Sequence, residues 1–278
     1  GGNHPRRARL QDNLRDDGRV PTLQRIANWF RRMVTTIRTY FSRHAINRLL
    51  RSIRNSARYQ ENDDFEGLLV DHDWYHENVH EPYVRISNII NRYFDRIVNT
   101  NVTGHQELTA NMMRIFTSGR TLERDLQRIA NMREDLHDTF NEVRSITSVN
   151  TTHRRQNNWD HTGPGEYPDT TIARRRERLT KANLDRLLDE LANDSDSLTE
   201  QIRQLNSSID NVRQMAEAIG NQNLNVRQDA TRISEQFVKF ITDSTRVLMY
   251  MVQINVKTAQ RLQYSLGANK MKREEEDE

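Results

Sequence analysis

The feature that most constrains this chain is a seven-residue apolar repeat across its last third. Leu191, Leu198, Leu205, Val212, Ile219, Val226, Ile233, Phe240, Val247 and Ile254 stand seven apart, and all are apolar. Three residues before each stand Leu188, Ser195, Ile202, Ile209, Ala216, Asn223, Ala230, Phe237, Ser244 and Met251. Such a run exceeds the three or four heptads that a coiled-coil reading requires. A strict seven-residue period keeps one seam on a partner only if the helix supercoils left-handedly. Unbroken, residues 188–254 would make a rod of roughly 100 Å at the α-helical rise. That seam must be covered, either by the helical stretch 84–149 of the same chain or by a second chain. Leu191, Leu198, Ile202, Leu205, Ile209, Val212, Ile219, Asn223, Val226, Ile233, Phe237 and Phe240 are therefore the expected partner or oligomer interface. Asn223, at a central core position, is of the kind that fixes register and oligomer state.

The rest of the chain agrees with a helical reading. Apolar residues supply 35% and charged residues 29%, with a mean hydropathy of −0.92, which suits helices that each bury one stripe. The five prolines fall at 5, 21, 82, 164 and 168, leaving 83–163 and 169–278 without that breaker. No Asn-Gly pair is present, and no alternating stretches flank the lone Asp17-Gly18 pair as hairpin strands would, so strand content should be near zero. The expected fold is all-α: an elongated helical bundle or coiled coil with a long C-terminal heptad helix. Its expected parts are a basic N-terminal arm and amphipathic helix (1–60), an acidic connector (61–82), a middle helical region (83–149), a linker (150–170), the long coiled-coil helix (171–266) and a charged tail (267–278). Thr100–Gly104 should bend the middle region, because Asn, Thr and Gly are weak helix formers. From Phe237 to Val256 apolar residues cover more than one face, as in a helix buried within a bundle or lying on another surface.

Charge is segregated. Residues 19–58 hold ten arginines and no acid, while 61–81 hold eight acids and neither lysine nor arginine. Arg25, Arg31, Arg32, Arg38, Arg43, Arg48, Arg51 and Arg54, interleaved with Trp29, Phe30, Tyr40 and Phe41, form a candidate polyanion-binding helix. A nucleic acid, an anionic membrane surface and the chain's own acids at 61–81 all fit that pattern. Arg174, Arg175, Arg176, Arg178 and Lys181 make a second basic patch where the last helix should begin.

His76-Glu77-Asn78-Val79-His80 matches H-E-x-x-H, in which two histidines one turn apart share a zinc ion and the glutamate activates its water. His72 extends the same face, and Glu107 is the nearest candidate third ligand. Glu81-Pro82 follows at once and should end the helix there. His72, His76 and His80 are thus weak metal candidates on a solvated connector, and neither a catalytic residue nor a cofactor is expected.

Cysteine is absent, which excludes disulfides and thiol chemistry. No run reaches the roughly 18 apolar residues needed to cross a bilayer. Gly1–Leu10 is polar and basic, unlike a signal peptide. The Gly-Gly start fits a tag scar or a matured precursor. The sequons at Asn101, Asn150 and Asn206 are read as chance matches.

Two heptad stretches joined by a linker, with Asn211–Ile219 (NVRQMAEAI) in the second, resemble the two-helix SNAREs of membrane fusion. That resemblance implies association of helices at a membrane surface. The chain departs from the family in carrying Asn223 at its candidate central layer and no linker cysteines. The expected function is a non-enzymatic structural or assembly protein. It would be a helical scaffold that joins other protein chains through its seam as a homo-oligomer or hetero-assembly, inside a viral or other nucleoprotein particle. A SNARE-like membrane-surface protein is the alternative, and an H-E-x-x-H zinc protease the remote one. An intracellular or virion location is expected over secretion.

Overall fold

The computed structural model describes residues 23–65, 70–100, 105–116, 119–155, 179–220 and 227–267. These residues are predominantly helical. The helices are α1 (Leu23–Tyr40), α2 (Arg43–Arg54), α3 (Ala57–Glu61), α4 (His72–Tyr75), α5 (Glu81–Val98), α6 (His105–Phe116), α7 (Arg120–Arg155), α8 (Lys181–Ser207), α9 (Ile209–Gly220) and α10 (Arg227–Ser265). A π-helical turn, His76–His80, joins α4 to α5. Two-residue strands β1 (Asp64–Phe65) and β2 (Leu179–Thr180) pair antiparallel.

Local sequence explains the boundaries. α1 buries Ile26, Phe30, Met33 and Ile37 on one stripe. Ser42 then caps α2 by accepting from the Ala45 amide at 3.2 Å, and Ser56 caps α3 through the Tyr59 amide. Asp71 caps α4, its carboxylate 2.7 Å from the Trp74 amide. α5 ends at Val98, just before the weak helix formers expected to interrupt it; 101–104 lie outside the described residues.

The structure departs from two expectations. The helix does not end at Glu81-Pro82. In a regular helix the proline ring would meet the carbonyl four residues back. Instead the Glu81 amide bonds to His76 O across a widened π turn, and the helix continues through Pro82 to Val98. The heptad stretch expected as one helix is also not a single helix at Ser208, where a turn separates α8 from α9. Asn206, Ser207 and Ser208 are poor helix formers. The Ser207 hydroxyl donates to Arg203 O at 3.0 Å and that of Ser208 to Leu205 O at 2.7 Å, competing with the backbone ladder. Residues 221–226, with Asn223 and Val226, lie outside the described residues, as do the bulk of the linker and the second basic patch.

The described residues fall into two compact units. One draws on 1–41, 83–135 and 198–250, the other on 42–82, 136–197 and 251–278. In the first, an aromatic cluster fills the interior. Phe30 stacks on Phe94 at 6.0 Å, and Phe240 lies 5.3, 5.0 and 6.1 Å from the rings of Tyr93, Phe94 and Phe116. α9 packs on α1 and α6. Asn211 donates to the carbonyls of Ile97 and Val98 at 2.8 and 3.1 Å, satisfying the open end of α5. Arg133, at an apolar position of its stripe, reaches Asp243 at 2.8 Å. In the second unit, the Lys181 amide bonds to Asp63 O at 2.8 Å beside the β1–β2 ladder. Asn255 donates to Leu191 O at 3.1 Å and lies 3.5 Å from the Tyr75 hydroxyl.

α10 is a core helix in both units. Every residue from Phe240 to Val256 is buried, including Thr242, Asp243, Ser244, Thr245 and Arg246. The seam is buried within the chain as well: Leu191, Leu198, Ile202, Leu205, Val212, Ile219, Ile233, Phe237 and Phe240 are all inside, and Ile209 is half-buried.

Candidate functional site

Two groups of side chains could meet something outside the chain. The first is the arginine-rich stretch. Arg25, Arg31, Arg32, Arg38, Arg43, Arg48 and Arg51 are exposed, and Arg54 is half-buried. Arg43 pairs with Asp196 at 2.7 Å, and Arg54 reaches Asp189 at 2.8 Å and Asp185 at 3.7 Å. These acids belong to α8, not to the acidic stretch 61–81 that sequence reasoning weighed. Arg38 donates to Asn206 at 3.0 Å, and Arg51 to Asn47 O in its own helix. Among the described residues no ion pair holds Arg25, Arg31, Arg32 or Arg48. Trp29 lies half-buried beside them, with the Arg246 guanidinium 5.9 Å from its ring centroid. No described helix is long and apolar enough to cross a membrane.

The second group is a ladder of histidines facing carboxylates. His72, His76 and His80 recur every four residues along α4 and the π turn, and their rings stack in sequence at 5.4 and 5.6 Å. Glu190 and Asp194 repeat the same spacing on α8 and face them. Glu190 Oε1 lies 3.1 Å from His72 Nε2 and 2.5 Å from His76 Nδ1. His80 Nδ1 lies 2.7 Å from Asp194 Oδ1, and the Tyr75 hydroxyl donates to Asp194 Oδ2 at 2.7 Å.

The electrostatics follow from burial. Asp194 is 1% exposed. Its hydrogen bond to His80 raises that imidazole above its ordinary range, against the opposing effect of partial burial. Burial, then the charge of Asp194, pushes Tyr75 well above the usual phenol range. Asp194 is thus a buried acceptor for two donors, which is how a buried carboxylate is tolerated.

The H-E-x-x-H constellation does not assemble as the motif predicts. His80 turns to Asp194, and Glu77, the expected base, is exposed. The side chain of Glu107 lies outside those described. The set whose ligand atoms converge is His72, His76 and Glu190, all within 4.8 Å of one another. Sequence reasoning named the two histidines and missed Glu190 and Asp194. The signal was their matching four-residue spacing in a distant helix.

No protein-family model, no curated protein and no solved structure matches this chain.

Proposed function

We propose that the protein is a non-enzymatic helical scaffold that joins a polyanionic partner, of the nucleic-acid backbone class, in a nucleoprotein assembly. The observation that carries this reading is the exposed set Arg25, Arg31 and Arg32 on α1, a helix with no acidic residue and, among the described residues, no ion pair to neutralise these three. Guanidinium groups are the side chains best suited to phosphate oxygens. Most of the described heptad residues are buried inside the chain and occupied in folding, so contact with partners falls to exposed surface.

Fluorescence anisotropy with a labelled duplex oligonucleotide tests this. Three phosphate contacts predict a slope of log affinity against log salt of about −2.7, so affinity falls about 40-fold from 50 to 200 mM salt. Replacing Arg25, Arg31 and Arg32 with Gln should abolish most binding and flatten that slope. Retention of binding by the triple variant would refute the reading. Binding to anionic vesicles but not to oligonucleotide would move the function to a membrane surface.

A further inference from the structure

We propose that His72, His76 and Glu190 form a binding site for a single transition-metal dication of the zinc class. The geometry is specific. Two imidazole nitrogens, His72 Nε2 and His76 Nδ1, both address one oxygen of one carboxylate. The three ligand atoms lie within 4.8 Å of one another. Tetrahedral zinc, with bonds of about 2.0–2.1 Å, sets its ligand atoms roughly 3.3 Å apart, so the two nitrogen–oxygen distances of 3.1 and 2.5 Å need change by less than about 1 Å. Two nitrogens and one carboxylate are a zinc-type donor set and a poor one for magnesium or calcium, which take oxygen ligands.

Unmet bonding capacity at the cluster points to the same ligand. Among the described residues, Glu190 Oε2 and His72 Nδ1 are buried without a hydrogen-bond partner. A neutral His72 that donates from Nε2 to Glu190 carries a bare lone pair at Nδ1, and that nitrogen lies 3.5 Å from Asp73 Oδ1. Lone pair would then face carboxylate. A metal on Nε2 reverses this. The proton moves to Nδ1 and points at Asp73, as ligating histidines generally direct their free N–H to a carboxylate. His76 repeats the pattern: with its metal on Nδ1, the far nitrogen Nε2 has Glu81 Oε2 at 4.0 Å. Each proposed histidine ligand thus has an acid on its outer nitrogen. Glu190 Oε2 becomes available to the metal, and a partly buried carboxylate gains a dication as its partner. His80 stays outside the set, held by Asp194. The fourth position is left to water. Because the site bridges α4 with its π turn to α8, metal binding ties those elements together.

Zinc titration of the chelator-stripped full chain, in competition with a chromophoric chelator, tests this. One equivalent should bind, and cobalt at the same site should give the visible bands of a four- or five-coordinate ion. His72→Asn and Glu190→Gln should each weaken zinc binding at least as much as the ~10–100-fold that loss of an outer partner produces, and Asp73→Asn should fall within that range. His44→Asn, an exposed histidine on α2, should leave it unchanged. Should Glu190→Gln fail to fold, Glu190→Asp keeps the charge, withdraws the carboxylate and should show the same loss. Binding below one equivalent, or unchanged in both His72→Asn and Glu190→Gln, would overturn the assignment. None of these outcomes bears on the arginines of α1, so this proposal and the polyanion reading fail separately.

Discussion

Replacing Phe240 with alanine tests whether α10 runs through a packed core. Phe240 is fully buried, with the rings of Tyr93, Phe94 and Phe116 at 5.3, 5.0 and 6.1 Å. Truncating a buried phenylalanine typically destabilises by about 3–5 kcal/mol, through lost transfer energy and the cavity left behind. Each aromatic pair adds about 0.5–1.5 kcal/mol beyond area. Three such neighbours place Phe240→Ala at the upper end, about 5 kcal/mol. Phe240→Leu keeps most of the volume and loses the ring contacts, so it should cost about 1–2 kcal/mol. Val84→Ala, at an exposed site, should stay within about 0.5 kcal/mol. The assay is urea unfolding followed by near-ultraviolet circular dichroism, which reports the aromatic cluster directly. If Phe240→Ala cost under about 1.5 kcal/mol, or no more than Phe240→Leu, α10 would not run through a packed interior.

Leu205→Asp should unfold the chain, because it buries an unpaired charge. The described seam residues are buried within one chain, so the wild-type unfolding midpoint should not move between about 1 and 50 μM protein; a shift would place the seam between chains. Tyr93 is raised to about 12 by burial and then by its hydrogen bond to Asp125. The folded protein keeps that proton where the unfolded chain, near 10, releases it. Its contribution is therefore complete below pH 10 and is lost as pH rises from 10 towards about 12. Tyr93→Phe should lose less stability than wild type between pH 9 and 11 in urea titrations; parallel curves would remove this assignment.

Some of this structure was legible from residue spacing. Leu191, Leu198, Leu205 and Ile233 announce themselves because a seven-residue period needs no partner to be seen, and their burial follows. What covers them is not encoded in period, so the choice between one chain and two stayed open. The wide apolar arc after Phe237 foretold a surrounded helix, yet Thr242, Asp243 and Arg246 carry no apolar signal. Their burial depends on distant groups such as Arg133 and Trp29. The π turn resolves the conflict between Pro82 and a continuing helix, a conflict that the sequence alone presents as a helix end. His72 and His76 stood out as a motif, while Glu190 looked like any exposed helical acid. Its role appears only when residues more than a hundred positions apart are brought together.

The position of α10 in chain order has a consequence for how the protein is made. Phe240 closes the cluster opened by Phe30, 210 residues earlier. At about 5–20 residues per second, a ribosome needs roughly 10–40 s to cover that distance. Through that interval the stripe of α1, joined by that of α5 once residue 98 is made, exists without the helix whose Phe240 packs on Phe94. The nascent chain must carry uncovered aromatic surface for longer than most small domains take to fold, and a chaperone that holds such surface would act in that window.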